Sequence, residues 1–226
     1  MAAILAIGAI GAPLEPARSQ APPRRWVARV ACLRHAGPGN DQPRPLADAE
    51  LFLRDLSRVG IILDQKELAL TDPELVRYPL AYLRGREAFA LSEAERTALR
   101  RHLSPGGGTL FADAAGGSPA FDASFRRLVA AMFPDAPLVP IPPDDPIFRG
   151  ESGYHIADVR RTEAAGGKSS PPRLEGIKVG DRWAVIYSDL DIGDSLQRRD
   201  SPDRRGYARE DAAKLFANAV VHATSP

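Results

Sequence analysis

Two short apolar runs, each followed by a helix whose start is written out residue by residue, constrain this 226-residue chain more than any other feature. Leu80-Ala81-Tyr82-Leu83 has strand length and closes on Arg84-Gly85-Arg86-Glu87. Ser92-Glu93-Ala94-Glu95 reads as a capping box, because the Ser92 hydroxyl can accept from the Glu95 amide while Glu95 reaches back to Ser92. Leu99 and Leu103, with Ala98, supply the buried stripe, and Pro105-Gly106-Gly107-Gly108 stops the helix. Thr109-Leu110-Phe111-Ala112 repeats the strand, and Asp113-Ala114-Ala115-Gly116-Gly117 turns the chain. Ser118-Pro119 caps a second helix with proline at its first position. That helix is expected to reach about Met132 and to bury Phe121, Phe125, Leu128, Val129 and Met132. Strand and helix in alternation are the rhythm of parallel βαβ units, hence of an α/β domain with a mainly parallel central sheet.

The flanking segments fit this frame. Trp26 to Leu33 alternates and is rich in strand formers, so it reads as the first strand. Leu46, Ala49, Leu53 and Leu56 have helical spacing, with Gly60 as the stop. Ile61-Ile62-Leu63 is a short strand, and Thr71 or Asp72 caps a helical turn at Pro73-Glu74-Leu75. Leu174–Val179 and Trp183–Tyr187 form two strands around Gly180-Asp181. Tyr207–Ala223 is a last helix with Ala212, Leu215, Phe216, Ala219 and Val220 on one side. Residues 160–172 are polar and rich in Gly, Ser and Pro, and are expected to be a mobile insertion.

Composition excludes several classes of function. Thirty basic residues face 29 acidic ones, a formal net charge of +1. That balance argues against nucleic acid as a partner. One cysteine makes no internal disulfide and no cysteine-rich zinc site. No internal stretch reaches the roughly 18 apolar residues of a membrane span. Residues 1–25 stand apart as a signal-like or disordered N-terminal segment: an apolar run from Met1 to Ala12, four prolines, then Arg24-Arg25. Ser19-Gln20-Ala21 suits cleavage after Ala21. The expectation is an exported, periplasmic or envelope-associated protein with a single domain over residues 26–226, the alternative being a cytoplasmic one.

Several motifs together resemble a bacterial domain-of-unknown-function family, number 4159. They are Asp72-Pro73-Glu74-Leu75 with Tyr78-Pro79-Leu80-Ala81-Tyr82-Leu83-Arg84-Gly85, then Gly106-Gly107-Gly108-Thr109-Leu110-Phe111-Ala112-Asp113, and Phe121-Asp122 with Phe125-Arg126-Arg127. Pro146-Ile147-Phe148, Leu174-Glu175-Gly176-Ile177 and Arg182-Trp183-Ala184-Val185-Ile186-Tyr187-Ser188 complete the set. The resemblance implies a three-layer, flavodoxin-like fold similar to class I glutamine amidotransferases, and no established activity. It also implies frequent signal sequences and genes beside those of envelope proteins and a chaperone-like ATPase. Amidotransferases carry a cysteine nucleophile in a sharp turn after a central strand. Here strand 109–112 leads into Asp113-Ala114-Ala115-Gly116-Gly117 without a cysteine, and Cys32 lies within the first strand. The chain departs from the catalytic pattern at the residue that would do the chemistry.

In an open parallel sheet, ligands bind beyond the carboxyl ends of the strands. Arg84, Gly85, Arg86 and Asp113, Gly116, Gly117, Ser118 are expected there, with Asp122 in the first turn of the following helix. The glycines allow close backbone approach, the amides near Ser118 favour an anion, and either arginine can clamp a carboxylate or phosphate. This reads as a non-catalytic domain binding a small polar ligand or an envelope protein partner, without cofactor or metal. One alternative is a hydrolase with Asp113 as base or nucleophile beside Arg84. Another is a purely structural envelope module, whose sign would be an exposed apolar patch on the helices or the 183–187 strand. Without a ligand, the same loops read as structure alone: Gly-Gly makes a turn, Ser118 only caps and the arginines pair with Asp113 or Glu87. Asp122 and Arg126 are set to pair across one helical turn. Asp144-Asp145 and the run Asp189-Leu190-Asp191 with Asp194 offer oxygen ligands for a cation, but without a calcium-loop signature they read as turn aspartates, and Arg198 to Arg205 as a solvated loop.

Overall fold

The computed structural model describes residues 26–37, 61–149 and 153–224. The expected helix over Leu46–Ser57 and the segment 1–25 lie outside the described residues.

Five strands run parallel: β1 (Trp26–Arg34), β2 (Ile61–Ala69), β3 (Leu80–Gly85), β4 (Thr109–Ala114) and, later in the chain, β9 (Arg182–Ser188). Between β4 and β9 come β5 (Val139–Pro140), the small hairpin of β6 (Val159–Arg160) and β7 (Ser169–Ser170), and β8 (Glu175–Val179). The main sheet has the order β2-β1-β3-β4-β9-β8-β5, with β8 antiparallel to both β9 and β5. Gly180, at φ 63°, turns the chain between β8 and β9, a conformation glycine adopts without a Cβ clash.

The inner strands are covered on both faces, as parallel strands linked by helical crossovers must be. Ala81, Leu83, Leu110, Ala112, Val185 and Tyr187 point to one layer, with α1 (Glu93–His102) and α2 (Pro119–Met132). Leu80, Tyr82, Phe111 and Ile186 point to the other, with α5 (Arg209–Thr224) and the short helices α3 (Pro146–Arg149) and α4 (Gly193–Leu196). Phe216 of α5 sets its ring edge-on against Tyr82 and Phe111, 5.6 Å from each centroid. On the opposite face Phe125 stacks on Tyr187 at 4.2 Å. Cys32 is buried, and burial together with Glu67 pushes its thiol up to about 12, so it packs as a small apolar group.

Both helix starts follow the local sequence. Ser92 and Glu95 make the reciprocal capping box, and Ser118 accepts from the Phe121 amide with Pro119 in the first turn. Three expectations need correction. β2 runs to Ala69 rather than stopping at Leu63, because its polar residues hide it: Asp64 and Glu67 pair across the ladder with Arg29 and Arg34 of β1, and Lys66 reaches Glu74. β3 and β4 extend two residues further, so Arg84, Gly85, Asp113 and Ala114 are strand residues and not loop. Residues 160–172 are not a mobile insertion. They fold as the β6–β7 hairpin, anchored where the Thr162 amide donates to Gly206 O at 2.9 Å and its hydroxyl to Arg204 O at 2.6 Å.

Candidate functional site

Parallel pairing sets Arg84 beside Asp113 and Gly85 beside Ala114, so the ends of β3 and β4 share one rim. β9 ends on the same rim, since Asp113 is level with Ser188. The chain leaving β9 folds back over this edge as residues 189–196 and closes it.

Asp113 is fully buried. It accepts from the Tyr82 hydroxyl and from the amides of Ile192 (3.0 Å) and Gly193 (3.2 Å). The start of α4 therefore sits on the carboxylate. Gly193 is required there, because a Cβ would stand 2.5 Å from the Tyr82 hydroxyl and 2.6 Å from Arg84 Nε. Burial, reinforced by Asp113, holds the Tyr82 phenol well above its ordinary range, so it stays a donor.

Asp191 is equally buried and collects five donors. They are the amides of Gly116 (3.1 Å), Asp194 and Ser195 (both 3.2 Å), and the guanidinium groups of Arg84 (3.5 Å) and Arg204 (3.3 Å). Burial, with Asp113 and Asp194 close by, pushes its carboxyl up to about 6. Asp194 is held from two sides, by Arg84 at 2.9 Å and Arg86 at 2.7 Å. Arg204 also donates to the Ser195 hydroxyl and to Tyr207 O. Burial opposes the charge on Arg84, but Tyr82, Asp113, Asp194 and Asp191 outweigh it and keep the guanidinium firmly protonated. Three carboxylates thus meet three arginines, two of them (Arg84 and Arg204) with side chains only 7% and 8% exposed.

These contacts decide where each expected residue stands. Arg84, Gly85, Arg86, Asp113, Gly116, Gly117 and Ser118 come together on the rim. Asp122 does not join them: it pairs with Arg126 at 2.9 Å and accepts from the Tyr187 hydroxyl at 2.9 Å, while Arg126 also grips Glu175. The expectation of Asp113 as an open base beside Arg84 is corrected, because its oxygens are taken and α4 covers it. The pairing of the arginines with Asp113 or Glu87 is corrected too; their partners are Asp191 and Asp194. Gly116 (φ 64°) and Gly117 (φ 72°) occupy the left-handed region. A side chain at Gly116 would meet Arg86, and one at Gly117 would meet the Arg205 backbone. Ser118 caps α2 and also donates to Arg86 O. Arg86 is the arginine left facing solvent, its side chain 55% exposed.

Sequence reasoning missed Asp191, Asp194, Ser195 and Arg204. Asp191 and Asp194 read as turn aspartates and Arg204 as a solvated arginine; all four are buried, and the two aspartates hold Arg84 across 107 and 110 positions. The available signal was topological: an acidic run directly after a strand parallel to β4 must land on the same rim. Among the described residues no group of three or more His, Cys, Asp or Glu side chains is arranged to hold a metal ion, and no helix is long and apolar enough to cross a membrane.

Comparison with solved structures finds a ThuA-like protein from Bacteroides uniformis, 13% identical, with 95% of this chain and 96% of that chain covered and a TM-score of 0.39. Among curated proteins there is no match. A family model matches residues 29–224, nearly the whole described chain. On that match the chain belongs to the family named for a domain of unknown function, DUF4159.

Proposed function

We propose that this domain acts by binding rather than by catalysis. Its working surface is the open side of the rim, where the exposed Arg86, beside Gly116 and Ser118, meets a small anionic group, free or carried on an envelope protein. One observation carries the reading: the chain already places an anion of its own, the Asp194 carboxylate, between Arg84 and Arg86. The rim is built to hold a carboxylate, and Arg86 retains exposed donors beside the Gly116 and Ser118 backbone. The same contacts argue against the hydrolase, which needs Asp113 uncovered. The order β2-β1-β3-β4-β9 supports a flavodoxin-like arrangement of the kind class I glutamine amidotransferases share. The signal-like segment 1–25 supports export to the envelope.

Titration of the 15N-labelled domain with succinate and with inorganic phosphate tests the binding. Saturable shifts at residues 86, 116 and 118, lost in Arg86→Ala, are expected; their absence in the wild type overturns the proposal. A hydrolytic activity that disappears in Asp113→Asn would reinstate the enzyme. N-terminal sequencing after expression in a secreting host is expected to show a chain starting at Pro22.

A further inference from the structure

We infer a second binding site, for a small organic acid with an apolar body, in a cavity of about 890 Å³ under the opposite, N-terminal edge of the sheet. It is independent of the rim, and its size falls in the range of roughly 300–1,000 Å³ typical of small-molecule sites. Its walls are the connection from β2 to β3, the end of α1, the turn at Gly106–Gly108, and Arg182 at the start of β9.

The lining has two chemistries. Leu70, Leu75 and Pro79 supply an apolar wall, while Arg77, Arg101 and Arg182 supply positive charge. Among the described residues none of these three arginines lies within ion-pair distance of a carboxylate. Asp72, the wall's own acid, accepts from the Glu74 amide as a helix cap, and Glu74 is taken by Lys66. Arg182 is pinned through Nη1 to Gly108 O (2.7 Å) and Thr109 Oγ1 (2.8 Å), while its buried Nη2 has no hydrogen-bond partner among the described residues. His102 Nε2, also buried, has none either. The ring lies over Gly108, where any side chain would overlap it and would crowd Pro79 O at 2.9 Å.

The field of Arg182 is felt nearby. Burial first, and Arg182 second, depress His102 to about 4. Burial lowers His222 as well, and Arg182 adds to that shift. Both imidazoles are therefore neutral near pH 7, and the arginines alone carry the charge. The carbonyl ends of α1 and α5 reach this edge, each equivalent to about half a negative charge. They offset part of three guanidinium charges and leave a positive surplus beside an apolar wall. A carboxylate on an apolar body matches both halves, with its head toward Arg182 and its body against Leu70, Leu75 and Pro79.

The probe is 4-phenylbutyrate, with 4-phenylbutyramide as its uncharged twin, titrated into the 15N-labelled domain. Expected are saturable shifts confined to residues 71–79 and 101–108, at least tenfold weaker binding of the amide, and at least tenfold weaker binding of the acid to Arg182→Gln. Ala98 lines the cavity from α1, so Ala98→Trp fills the space without touching a charge and is expected to abolish the shifts. It serves as the second variant should Arg182→Gln fail to fold. Equal binding of acid and amide, shifts at residues 86 and 116–118 instead, or no saturable shift in 71–79 and 101–108 at millimolar acid would overturn the assignment.

Discussion

At the C-terminal rim, Asp113, Asp191 and Asp194 lie buried among Arg84, Arg86 and Arg204, each carboxylate with several donors. At the N-terminal edge, Arg77, Arg101 and Arg182 border a cavity without a carboxylate partner among the described residues. Both ends are rich in arginine, yet at the rim every arginine has a carboxylate partner and only Arg86 keeps exposed donors, whereas the edge arginines have no carboxylate partner among the described residues. Charge removed from water is tolerated where opposite charge and amides replace the lost hydration. Where they do not, the charge stays at a surface or waits for a partner. The rim's buried network is therefore an internal clamp on the β9–α4 connection, and the edge is where the fold keeps electrostatic capacity in reserve.

The largest expected effect tests the clamp. Asp191→Ala leaves Arg84 and Arg204 buried with reduced compensation, and should lower stability by about 3–5 kcal/mol in urea denaturation. A loss below about 1 kcal/mol would mean that the two ends are less different than their contacts indicate.

Acidification separates the ends by sign. His102 has a folded value near 4 against an ordinary 6.5, so its contribution is complete above 6.5 and is lost as pH falls toward 4. Up to about 3 kcal/mol is at stake, at 1.36 kcal/mol per unit. Asp191 behaves oppositely: raised from 3.8 to about 6, it contributes stability that is full below 3.8 and lost as pH rises through 6. Hydrogen exchange at pH 7 and pH 4.5 should therefore show residues 98–108 losing protection on acidification, with this loss removed in His102→Gln.

Two smaller effects sharpen the contrast. Tyr82→Phe removes one donor to the buried Asp113 and should cost about 1–3 kcal/mol by thermal unfolding, with the carboxylate still held by two amides. Arg182→Met, at the open edge, loses hydrogen bonds to Gly108 O and Thr109 Oγ1 but no ion pair, and should also cost about 1–3 kcal/mol. A loss as large as that of Asp191→Ala would mean that Arg182 is compensated by a charge partner as the rim arginines are.

Legibility in the sequence followed the range of the interactions. The capping box at Ser92, the Ser118-Pro119 start and the stripe Phe121, Phe125, Leu128 span four residues or fewer per contact, and all three stand as expected. The glycine turn at Gly180 was equally local. β2 was read too short because its charged residues are satisfied by β1, more than thirty positions away. The candidate site was half legible. Arg84, Asp113 and the Gly-Gly turn were placed together because parallel crossovers oblige it. Their partners were not, because Asp191 pairs with Arg84 across 107 positions, which no local pattern marks.

The order of residues alone determined where helices begin, which apolar side chains of those helices face the core, and that no cysteine stands in the turn after β4. Those properties depend on neighbours within a turn of helix or along a strand, and such neighbours are written consecutively. Tertiary structure alone decided that Asp113, Asp191 and Asp194 are buried together on the rim and that Arg77, Arg101 and Arg182 border one cavity at the far edge. Electrostatic and packing energies depend on distance through space and on exclusion of water, and the folded chain sets both only after its strands have assembled.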